Sequence, residues 1–473
     1  MLAVTMLCPI LGGLLLGCFR SIPAKIRRAA AVGVMCVTSL MVAALIRTGV
    51  PYHTLLSYTD RFTLSIGLDH RGKVFLALMA VLWPLSTLYA VEYMAHEERE
   101  ATFFMWFLLA YGVMIPFCCA ANLFTLYVLY ECVTMVTLPL VWHKKDLESI
   151  RAARSYVRYS IGCAAFGLTV VVILSSFGSL RFSRGGNGFQ DVPEGLLNAL
   201  YLTAFFGFGV KAAVFPFSRW LPKAGAAPTP VTALLHAVAV VNAGVFSVQR
   251  VTYDVFGTAR LANGWGRQAA LAAACLTVLY GAVMAVREHH VKRRLAYSTV
   301  SNLGYMLLGT ALMTAAGDAA ATLHMVCHSL IKIVLFFCIG GVMTQTGLTQ
   351  VAEMRGLGRR MPFTFAAFFV ASLALMGIPP LAGFASKYAL IEAAVDAGGF
   401  WPLMGAASLI VSAILTAVYT MTVALPAWYL PAGAEAGNRC DPGWRMLVSI
   451  YVILALMIAA GLWPGALMGA LRG

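Results

Sequence analysis

The chain has 473 residues, of which 60% are hydrophobic and only 11% are charged. Soluble domains average about 25% charged residues, so this composition excludes an ordinary soluble enzyme or binding domain. The apolar residues form runs of roughly 18 to 25 residues, the length of a helix that crosses a bilayer. Because open sheets cannot satisfy their backbone in lipid, the composition predicts an all-α polytopic membrane protein.

About fourteen apolar runs follow one another along the chain. We predict crossings over residues 2–19, 29–47, 73–95, 101–119, 122–142, 155–178, 194–218, 228–250, 268–287, 294–313, 320–343, 362–392, 400–427 and 446–470. No basic residue precedes the first run and Arg20 follows it, so we expect a retained helix rather than a cleaved signal peptide.

Two of these runs contain proline near their middle. One has Phe215-Pro216 and then Leu221-Pro222, and the other has Pro379-Pro380 between two glycines. Proline removes a backbone donor and clashes with the preceding turn, so both helices are expected to be broken.

An intact helix pair, a buried lysine and a broken helix recur in the same order in helices four to eight and nine to thirteen. A repeat with an odd number of crossings has to be inverted across the membrane. We therefore predict a single membrane domain over residues 1–473, with N-terminal helices (1–100), a first five-helix repeat (101–250), a second five-helix repeat (268–427) and a C-terminal helix (428–473).

The net charge of +15 comes from basic residues that collect in alternate loops. They are Arg20, Lys25, Arg27 and Arg28; Lys144, Lys145, Arg151 and Arg154; and Arg287, Lys292, Arg293 and Arg294. Such loops face the cytoplasm, so both termini are expected outside the cell membrane. The positive charge is expected to meet anionic lipids rather than nucleic acid.

The eleven cysteines include no CxxC spacing and lie mostly in apolar runs. They are interpreted as small buried hydrophobic residues. We therefore expect no metal site and no cofactor in this chain.

Several ionisable residues lie inside apolar runs, namely Glu131, Lys211, His236, Lys332 and Lys387. A charge at the centre of a bilayer costs at least about 2.5–3.5 kcal/mol, and such residues normally face the bundle interior or a water-filled path. They are the candidate functional residues.

His324, His328 and Lys332 are spaced by four residues, which places them on one helix face. Together they form a stripe of titratable groups about 12 Å long, which suits a proton relay. Two alternatives remain open. Each side chain could be bonded separately to a carbonyl on a neighbouring helix, or the two histidines could share a zinc ion, for which no third ligand is evident.

Lys211 precedes Pro216 by five residues, so its backbone surroundings are expected to be polar. Burial disfavours a charged lysine and a nearby carboxylate favours it, so Glu131 could switch the charge of Lys211. A static ion pair between these two residues is the alternative. For Lys387 the alternative is a side chain that extends to the membrane surface.

Four segments resemble signatures of one family, the antiporter-like subunits. These are Lys211 to Ala224 continuing from Pro228 to Ala237, Lys292 to Tyr305, His324 to Lys332, and Pro379 to Lys387. The family comprises the proton-pumping membrane subunits of respiratory complex I, the Mrp-type cation/proton antiporters and the membrane subunits of energy-converting hydrogenases.

The resemblance implies fourteen helices with two inverted five-helix repeats, each forming a half-channel. It implies that Glu131 and Lys211 switch charge in the first half-channel, and that Lys332 is the central lysine, linked to water by His324 and His328. Lys387 would be the exit-side group that interacts with the next subunit.

The chain departs from the resemblance shortly after His236: many members of that family carry a lysine there on the eighth helix, others carry a small polar residue, and this chain has Asn242. An amide does not titrate. Any proton path between the halves therefore has to use His236, water bound to Asn242, or both.

We accordingly expect a proton- or sodium-translocating subunit without catalytic chemistry of its own. No nucleotide motif or cysteine cluster is evident, so the energy must come from other membrane subunits, from an iron–sulfur redox module or from a counter-ion gradient. Two alternatives are a non-conducting scaffold and a subunit that itself binds quinone or haem, for which facing histidines would be needed. The sequence does not distinguish H⁺ from Na⁺ or one assembly from another.

Overall fold

The apolar runs form long helices in the computed structural model, which describes residues 1–19, 21–187, 189–429 and 438–472. Within those residues, ten helices are long and apolar enough to cross a membrane. Two shorter apolar helices, Leu2–Cys18 and Pro362–Met376, accompany them. The prediction of a multi-pass helical membrane protein is confirmed.

The described α-helices are, in chain order, α1 Leu2–Cys18, α2 Ala24–Thr48, α3 His70–Tyr93, α4 Glu100–Cys118, α5 Leu123–Val141, α6 Leu147–Phe177, α7 Glu194–Gly209, α8 Trp220–Ala224, α9 Thr229–Ala237, α10 Val240–Gln249, α11 Trp265–Arg287, α12 Val291–Ala311, α13 Ala315–Thr346, α14 Leu357–Arg360, α15 Pro362–Met376, α16 Ala382–Ala397, α17 Phe400–Tyr429, α18 Trp444–Leu462 and α19 Pro464–Arg472. Short 3₁₀ turns cover Met94–His96 and Val351–Met354.

A β-hairpin between α2 and α3 corrects the prediction of a purely α-helical chain. Strand β1 (Val50–Ser57) pairs antiparallel with β2 (Thr63–Leu68). The free edge of β2 is satisfied by residues at the start of α5, since Ala121 N donates to Ser65 O at 3.1 Å and Ser65 N donates to Thr125 Oγ1 at 2.8 Å. The two strands, of eight and six residues, are too short to stand out as membrane-crossing apolar runs in the sequence.

Both breaks predicted from proline are present. Helix α7 ends at Gly209, and the chain turns before the five-residue helix α8. Helix α15 ends at Met376, where Gly377 has φ = +92°, a value that favours glycine. The Phe215-Pro216 and Pro379-Pro380 peptide bonds are both cis.

A third break was not predicted. The run 228–250 was expected to form one crossing, but α9 ends at Ala237 and α10 begins at Val240. Between them, Val238 N and Ala239 N both donate to Leu234 O, at 2.9 and 2.8 Å. The same segment then continues past residue 250 as a π-helix, Arg250–Phe256. The final run is also divided, because α18 ends at Leu462 and α19 begins at Pro464.

Helix α13 and the segment from α9 to the π-helix lie at the centre of the bundle. Their apolar windows are 94% and 100% buried, compared with 28% for α2. These two central elements carry most of the ionisable residues singled out in the sequence.

Candidate functional site

The α13 stripe lies in the interior of the bundle. His324, His328 and Lys332 are each 2% exposed or less. The ring centroids of His324 and His328 are 6.1 Å apart, with the ring planes inclined by 29°. Successive titratable groups therefore follow one another along the buried face of a single helix.

Lys332 has only uncharged partners. Its Nζ donates to Ser298 Oγ at 2.6 Å and to Leu295 O at 3.2 Å, both on α12. Among the described residues no carboxylate lies within 4 Å of this nitrogen. The lysine is thus held by a hydroxyl and a carbonyl, which leave its charge uncompensated.

The two histidines differ in their partners. His324 Nδ1 lies 3.0 Å from Ser386 Oγ, and its Nε2 lies 3.2 Å from Asn302 Oδ1. Neither ring nitrogen of His328 has a hydrogen-bond partner within the described protein. Of the three side chains in the stripe, only Lys332 bonds a backbone carbonyl, Leu295 O, so a separate backbone carbonyl for each of the three is not found among the described residues.

Lys387 binds the end of the broken helix α15. Its Nζ donates to Leu375 O at 2.7 Å and to Met376 O at 3.3 Å, where the carbonyls of a helix end lack partners. The side chain is only 6% exposed, so it does not extend to the surface. The ring of Tyr305 joins it to the stripe, because its centroid lies 5.4 Å from Lys387 Nζ and 5.2 Å from the His324 ring.

Lys211 lies one residue beyond the C-cap of α7, whereas the sequence placed it inside a kinked helix. It is fully buried, donates to Tyr130 O, and has its Nζ 3.4 Å from the centroid of the Tyr130 ring. Glu131 is the next residue, but no ion pair within 4 Å joins it to Lys211 among the described residues, and its Oε1 has no protein partner. The static ion pair is therefore absent.

His236 and Asn242 lie on either side of the break between α9 and α10. Both ring nitrogens of His236 lack a partner in the described protein, and its ring packs 5.1 Å from that of Phe336. Asn242 Nδ2 donates to Ala237 O at 2.8 Å and to Ser329 Oγ on α13 at 2.9 Å, while its Oδ1 has no partner. The break therefore leaves the Ala237 carbonyl without a helical partner, and this carbonyl accepts hydrogen bonds from Asn242 of α10 and from Ser329 of α13.

Helix α10 also contacts Lys211. Gly244 approaches the main chain of Lys211 and Ala212 so closely that a Cβ atom at this position would overlap Ala212 N. Only glycine fits at this position. Helix α10 therefore contacts Lys211 directly through Gly244, and through Asn242 it contacts Ser329 of α13, the helix that carries Lys332.

Buried polar atoms in proteins are nearly always hydrogen-bonded to protein or water. Among the described residues, four of the sequence-predicted ones, Glu131, His236, Asn242 and His328, are among those that have a buried polar atom without a protein partner. Within the parts of the chain that are described, no three His, Cys, Asp or Glu side chains lie close enough to hold a metal ion. The chemistry available to this arrangement is the gain, loss and passage of protons or the solvation of a small cation.

A family model described as "NADH:quinone oxidoreductase/Mrp antiporter, TM" matches residues 120–416. The chain belongs to this family. The match includes every candidate residue from Glu131 to Lys387.

Curated relatives of this antiporter-family chain include NADH-quinone oxidoreductase subunits. Subunit L of Mycobacterium tuberculosis (strain CDC 1551 / Oshkosh) is 34% identical over 370 residues, which cover 76% of this chain and 57% of the relative. Subunit N of Desulforudis audaxviator (strain MP104C) is 31% identical over 461 residues, covering 92% of this chain and 89% of the relative. The chain thus spans little more than half the length of the subunit L relative.

Three solved structures share the fold. One is the membrane-bound sulfane sulfur reductase, an archaeal respiratory membrane complex, with a TM-score of 0.86 and 24% identity over 99% of this chain and 96% of that one. The second is the Mrp complex from Dietzia sp. DQ12-45-1b, with a TM-score of 0.86 and 20% identity over 100% of this chain and 96% of that one. The third is respiratory complex I from Thermus thermophilus, with a TM-score of 0.84 and 23% identity over 100% of this chain and 97% of that one. Almost the whole of this antiporter-family chain therefore follows one known architecture.

Lys292, predicted from its basic neighbours to lie in a loop, is a further buried cation beside the candidate residues. Lys292 is the second residue of α12, is only 4% exposed, and its Nζ donates to Ala227 O at 2.8 Å. Its neighbour Arg293, the third residue of α12, is half exposed, and its Nε lies 3.6 Å from Glu288 Oε1, as expected of a solvated cation. The signal that could have found Lys292 was its place at the start of the second family-like segment.

A charged cluster joining α3, the π-helix and α13 was also missed. Arg250 is 1% exposed, forms an ion pair with Asp69, and lies 2.9 Å from Asp254. Arg71 pairs with Asp318 on α13 at 2.6 Å. Burial alone would raise the pKa of Asp69, but the hydrogen bond and positive charge of Arg250 outweigh it and hold that pKa below its ordinary value. The cluster ties the start of α3 and the first turn of α13 to the π-helix.

Proposed function

We propose that this chain moves protons or sodium ions across the membrane through its line of buried titratable side chains. The observation that carries this proposal is Lys332, a fully buried lysine with uncharged partners that continues a stripe of two histidines. A lysine in such surroundings is costly to keep charged, so its proton can be gained and lost. Lys332 is the central group of a second half-channel, with His324 and His328 as its link to water.

The first half-channel in this proposal is formed by Glu131 and Lys211. The lysine is held by a carbonyl and an aromatic face rather than by the carboxylate. An approach of the Glu131 side chain would favour the charged lysine, and its withdrawal would favour the neutral one. Because no fixed ion pair joins the two residues, the Glu131 side chain is free to approach Lys211 or to withdraw from it.

The link between the half-channels is His236 together with Asn242. The free Oδ1 of Asn242 and the two free ring nitrogens of His236 are suited to bind water. In this proposal, water at these atoms carries the proton past the amide, which does not itself titrate. Lys387, next to Ser386 and His324, is the exit-side group toward the next subunit.

The proposed architecture has fourteen crossings in a single membrane domain, with both termini outside the cell membrane. The first inverted repeat covers residues 101–250 and the second covers 268–427, between the N-terminal helices (1–100) and the C-terminal helix (428–473). The broken helices α7–α8 and α15–α16 support corresponding halves, because each break lies beside a buried lysine.

The proposed partners are other membrane subunits of one complex, together with an iron–sulfur redox module in the redox-driven case. Moving one charge against 100 mV requires about 2.3 kcal/mol, which the buried relay alone does not supply. The basic loops are proposed to contact anionic lipids. The similarity to subunits of complex I, Mrp and sulfane sulfur reductase assemblies supports this proposal.

Purification of the tagged protein from its native membrane in mild detergent tests the assembly. Iron–sulfur or nickel-site subunits in the preparation would identify a redox-driven pump. Small membrane proteins alone would identify a secondary antiporter, and Na⁺-driven proton flux then becomes the assay. Recovery of the chain by itself would contradict the multi-subunit proposal.

One alternative is favoured by a specific observation. Asn242 replaces a titratable residue between the half-channels, as expected of a scaffold that holds its neighbours without conducting. The Lys332→Ala variant decides between the two. The transport proposal expects loss of ion movement in sealed vesicles that contain the whole assembly, whereas a scaffold would keep it.

A further inference from the structure

The buried partner of Lys332 is the first member of a line of hydroxyl groups between α12 and α17. Ser298 Oγ lies 2.6 Å from Lys332 Nζ and 2.7 Å from the hydroxyl oxygen of Tyr419. The Tyr419 hydroxyl in turn lies 3.1 Å from Thr416 Oγ1, which donates to Ser412 O at 2.7 Å. Lys332, Ser298, Tyr419 and Thr416 are all 1% exposed or less, so the line is sealed from the surroundings.

A hydroxyl group both donates and accepts a hydrogen bond, and its hydrogen rotates to suit its neighbours. The Tyr419 hydroxyl has two acceptors within reach, Ser298 Oγ on one side and Thr416 Oγ1 on the other. Its hydrogen therefore has two positions, and only one of them leaves Ser298 free to donate toward Tyr419.

We propose that Ser298 and Tyr419 form a reversible hydrogen-bond partner that serves Lys332 in both of its charge states. When the lysine is charged, its ammonium donates to Ser298, Ser298 donates to Tyr419, and Tyr419 donates to Thr416. When the lysine is neutral, Ser298 donates to the free electron pair of Nζ and Tyr419 donates to Ser298. The change is a rotation of two hydroxyl hydrogens, and no proton leaves either hydroxyl.

This inference rests on the proposed function, because it assumes that Lys332 gains and loses a proton. It gives the second half-channel a device that differs from the first. The carbonyl partner of Lys211 belongs to Tyr130, the residue next to Glu131, whereas the partners of Lys332, Ser298 and Leu295, have no acidic residue beside them in the sequence. Ser298 and Tyr419 are therefore positioning residues that lower the barrier between the two charge states.

Three variants test the inference in the intact assembly, with ion movement measured in sealed vesicles. Tyr419→Phe keeps the ring and the two direct acceptors of Lys332 but removes the outer hydroxyl. Ser298→Ala removes the hydroxyl next to the lysine, and Ser298→Thr puts one back. The matched control is Thr310→Val, because Thr310 is an equally buried hydroxyl residue of α12 whose Oγ1 donates to Met306 O of its own helix and to no member of the line.

We expect Tyr419→Phe to slow transport about fivefold to tenfold, the worth of one buried hydrogen bond in a limiting step. Ser298→Ala is expected to slow it at least as much, Ser298→Thr to recover most of that loss, and Thr310→Val to match the wild type. A purely structural role for Ser298 predicts instead that Tyr419→Phe has no effect, since the lysine keeps both of its acceptors.

Lys332→Ala separates failure of this inference from failure of the proposed function. If Lys332→Ala abolishes transport while Ser298→Ala and Tyr419→Phe stay within about twofold of the wild type, a difference smaller than one hydrogen bond, the hydroxyl switch is wrong and the relay stands. If Lys332→Ala itself transports normally, the relay is wrong and the switch falls with it. Levels of assembled complex, compared by gel filtration, show whether each variant folds.

Discussion

Asn242 Nδ2 lies 2.9 Å from Ser329 Oγ, so this buried amide of α10 is bonded directly to α13, the helix that carries His324, His328 and Lys332. Ser329 also donates to Ala237 O, at 2.5 Å, and both side chains thereby meet at the carbonyl exposed by the α9–α10 break. Asn242 is thus a fixed part of the junction between α9, α10 and α13.

Replacement of Asn242 by leucine removes the amide while keeping its approximate volume. We expect a loss of about 0.6–1.7 kcal/mol of stability, the range for polar contacts between membrane helices, and slower transport because the water-binding oxygen is gone. Thermal unfolding in detergent and vesicle transport measure the two effects. The control is Ser247→Ala on the same helix, whose Oγ has no protein partner. Normal transport by Asn242→Leu would exclude the amide from the route.

The coupling of Glu131 to Lys211 is tested by a double-mutant cycle with Glu131→Gln and Lys211→Met. Each single variant is expected to reduce transport. The double variant should be little worse than the poorer single one, because two residues that act together show interaction free energies of about 0.5–3 kcal/mol. The exposed Glu148 in the first turn of α6 supplies the control Glu148→Gln. Strictly additive losses would show that the two residues act independently.

Lys292 and Arg293 are adjacent cations with opposite surroundings, one buried and one half exposed. Lys292→Met is expected to slow transport about fivefold, because it deletes a buried cation and its bond to Ala227 O at the start of the helix that holds Lys332. Arg293→Met should leave the rate unchanged. Equal rates for the two variants would mean that burial of Lys292 serves folding alone.

The ion pair between Asp69 and Arg250 makes stability depend on pH. Because the folded pKa of Asp69 lies below its ordinary value, the stabilisation is complete above about pH 4 and is lost as the pH falls through the folded pKa. We expect the wild type to lose about 1–2 °C more in Tm than Asp69→Asn between about pH 5 and pH 3. Asp60→Asn, at an exposed position in the hairpin turn, should behave like the wild type. Parallel curves for Asp69→Asn and the wild type would contradict the assignment.

The sequence was sufficient for the helices and for two of the breaks. A run of about twenty apolar residues has few other stable structures in lipid, and the Pro216 and Pro379-Pro380 positions remove helical hydrogen bonds directly. The break after Ala237 could not be predicted in this way. No proline or glycine lies at Val238-Ala239, and the Ala237 carbonyl, which has no helical partner there, is satisfied by Ser329, 92 residues further along the chain.

The spacing of the candidate residues was predictable only within one helix. Steps of four between His324, His328 and Lys332 follow from helix geometry, whereas the separation of Glu131 from Lys211 depends on how α5 packs against the turn after α7. Lys292 shows a different limit. A lysine that begins a buried helix and a lysine in a solvated loop look identical in sequence, and only packing against Ala227 distinguishes them.

The close approach of Gly244 to Lys211 has a mechanical consequence. Helix α10 is ten residues long, touches the first lysine without an intervening side chain, and is tied by Asn242 to α13 two residues earlier. A helix of ten residues bends little, so a displacement at Gly244 would also move Asn242. If the protonation of Lys211 changes the proton affinity of Lys332, linkage requires that the protonation of Lys332 change the proton affinity of Lys211 by the same factor.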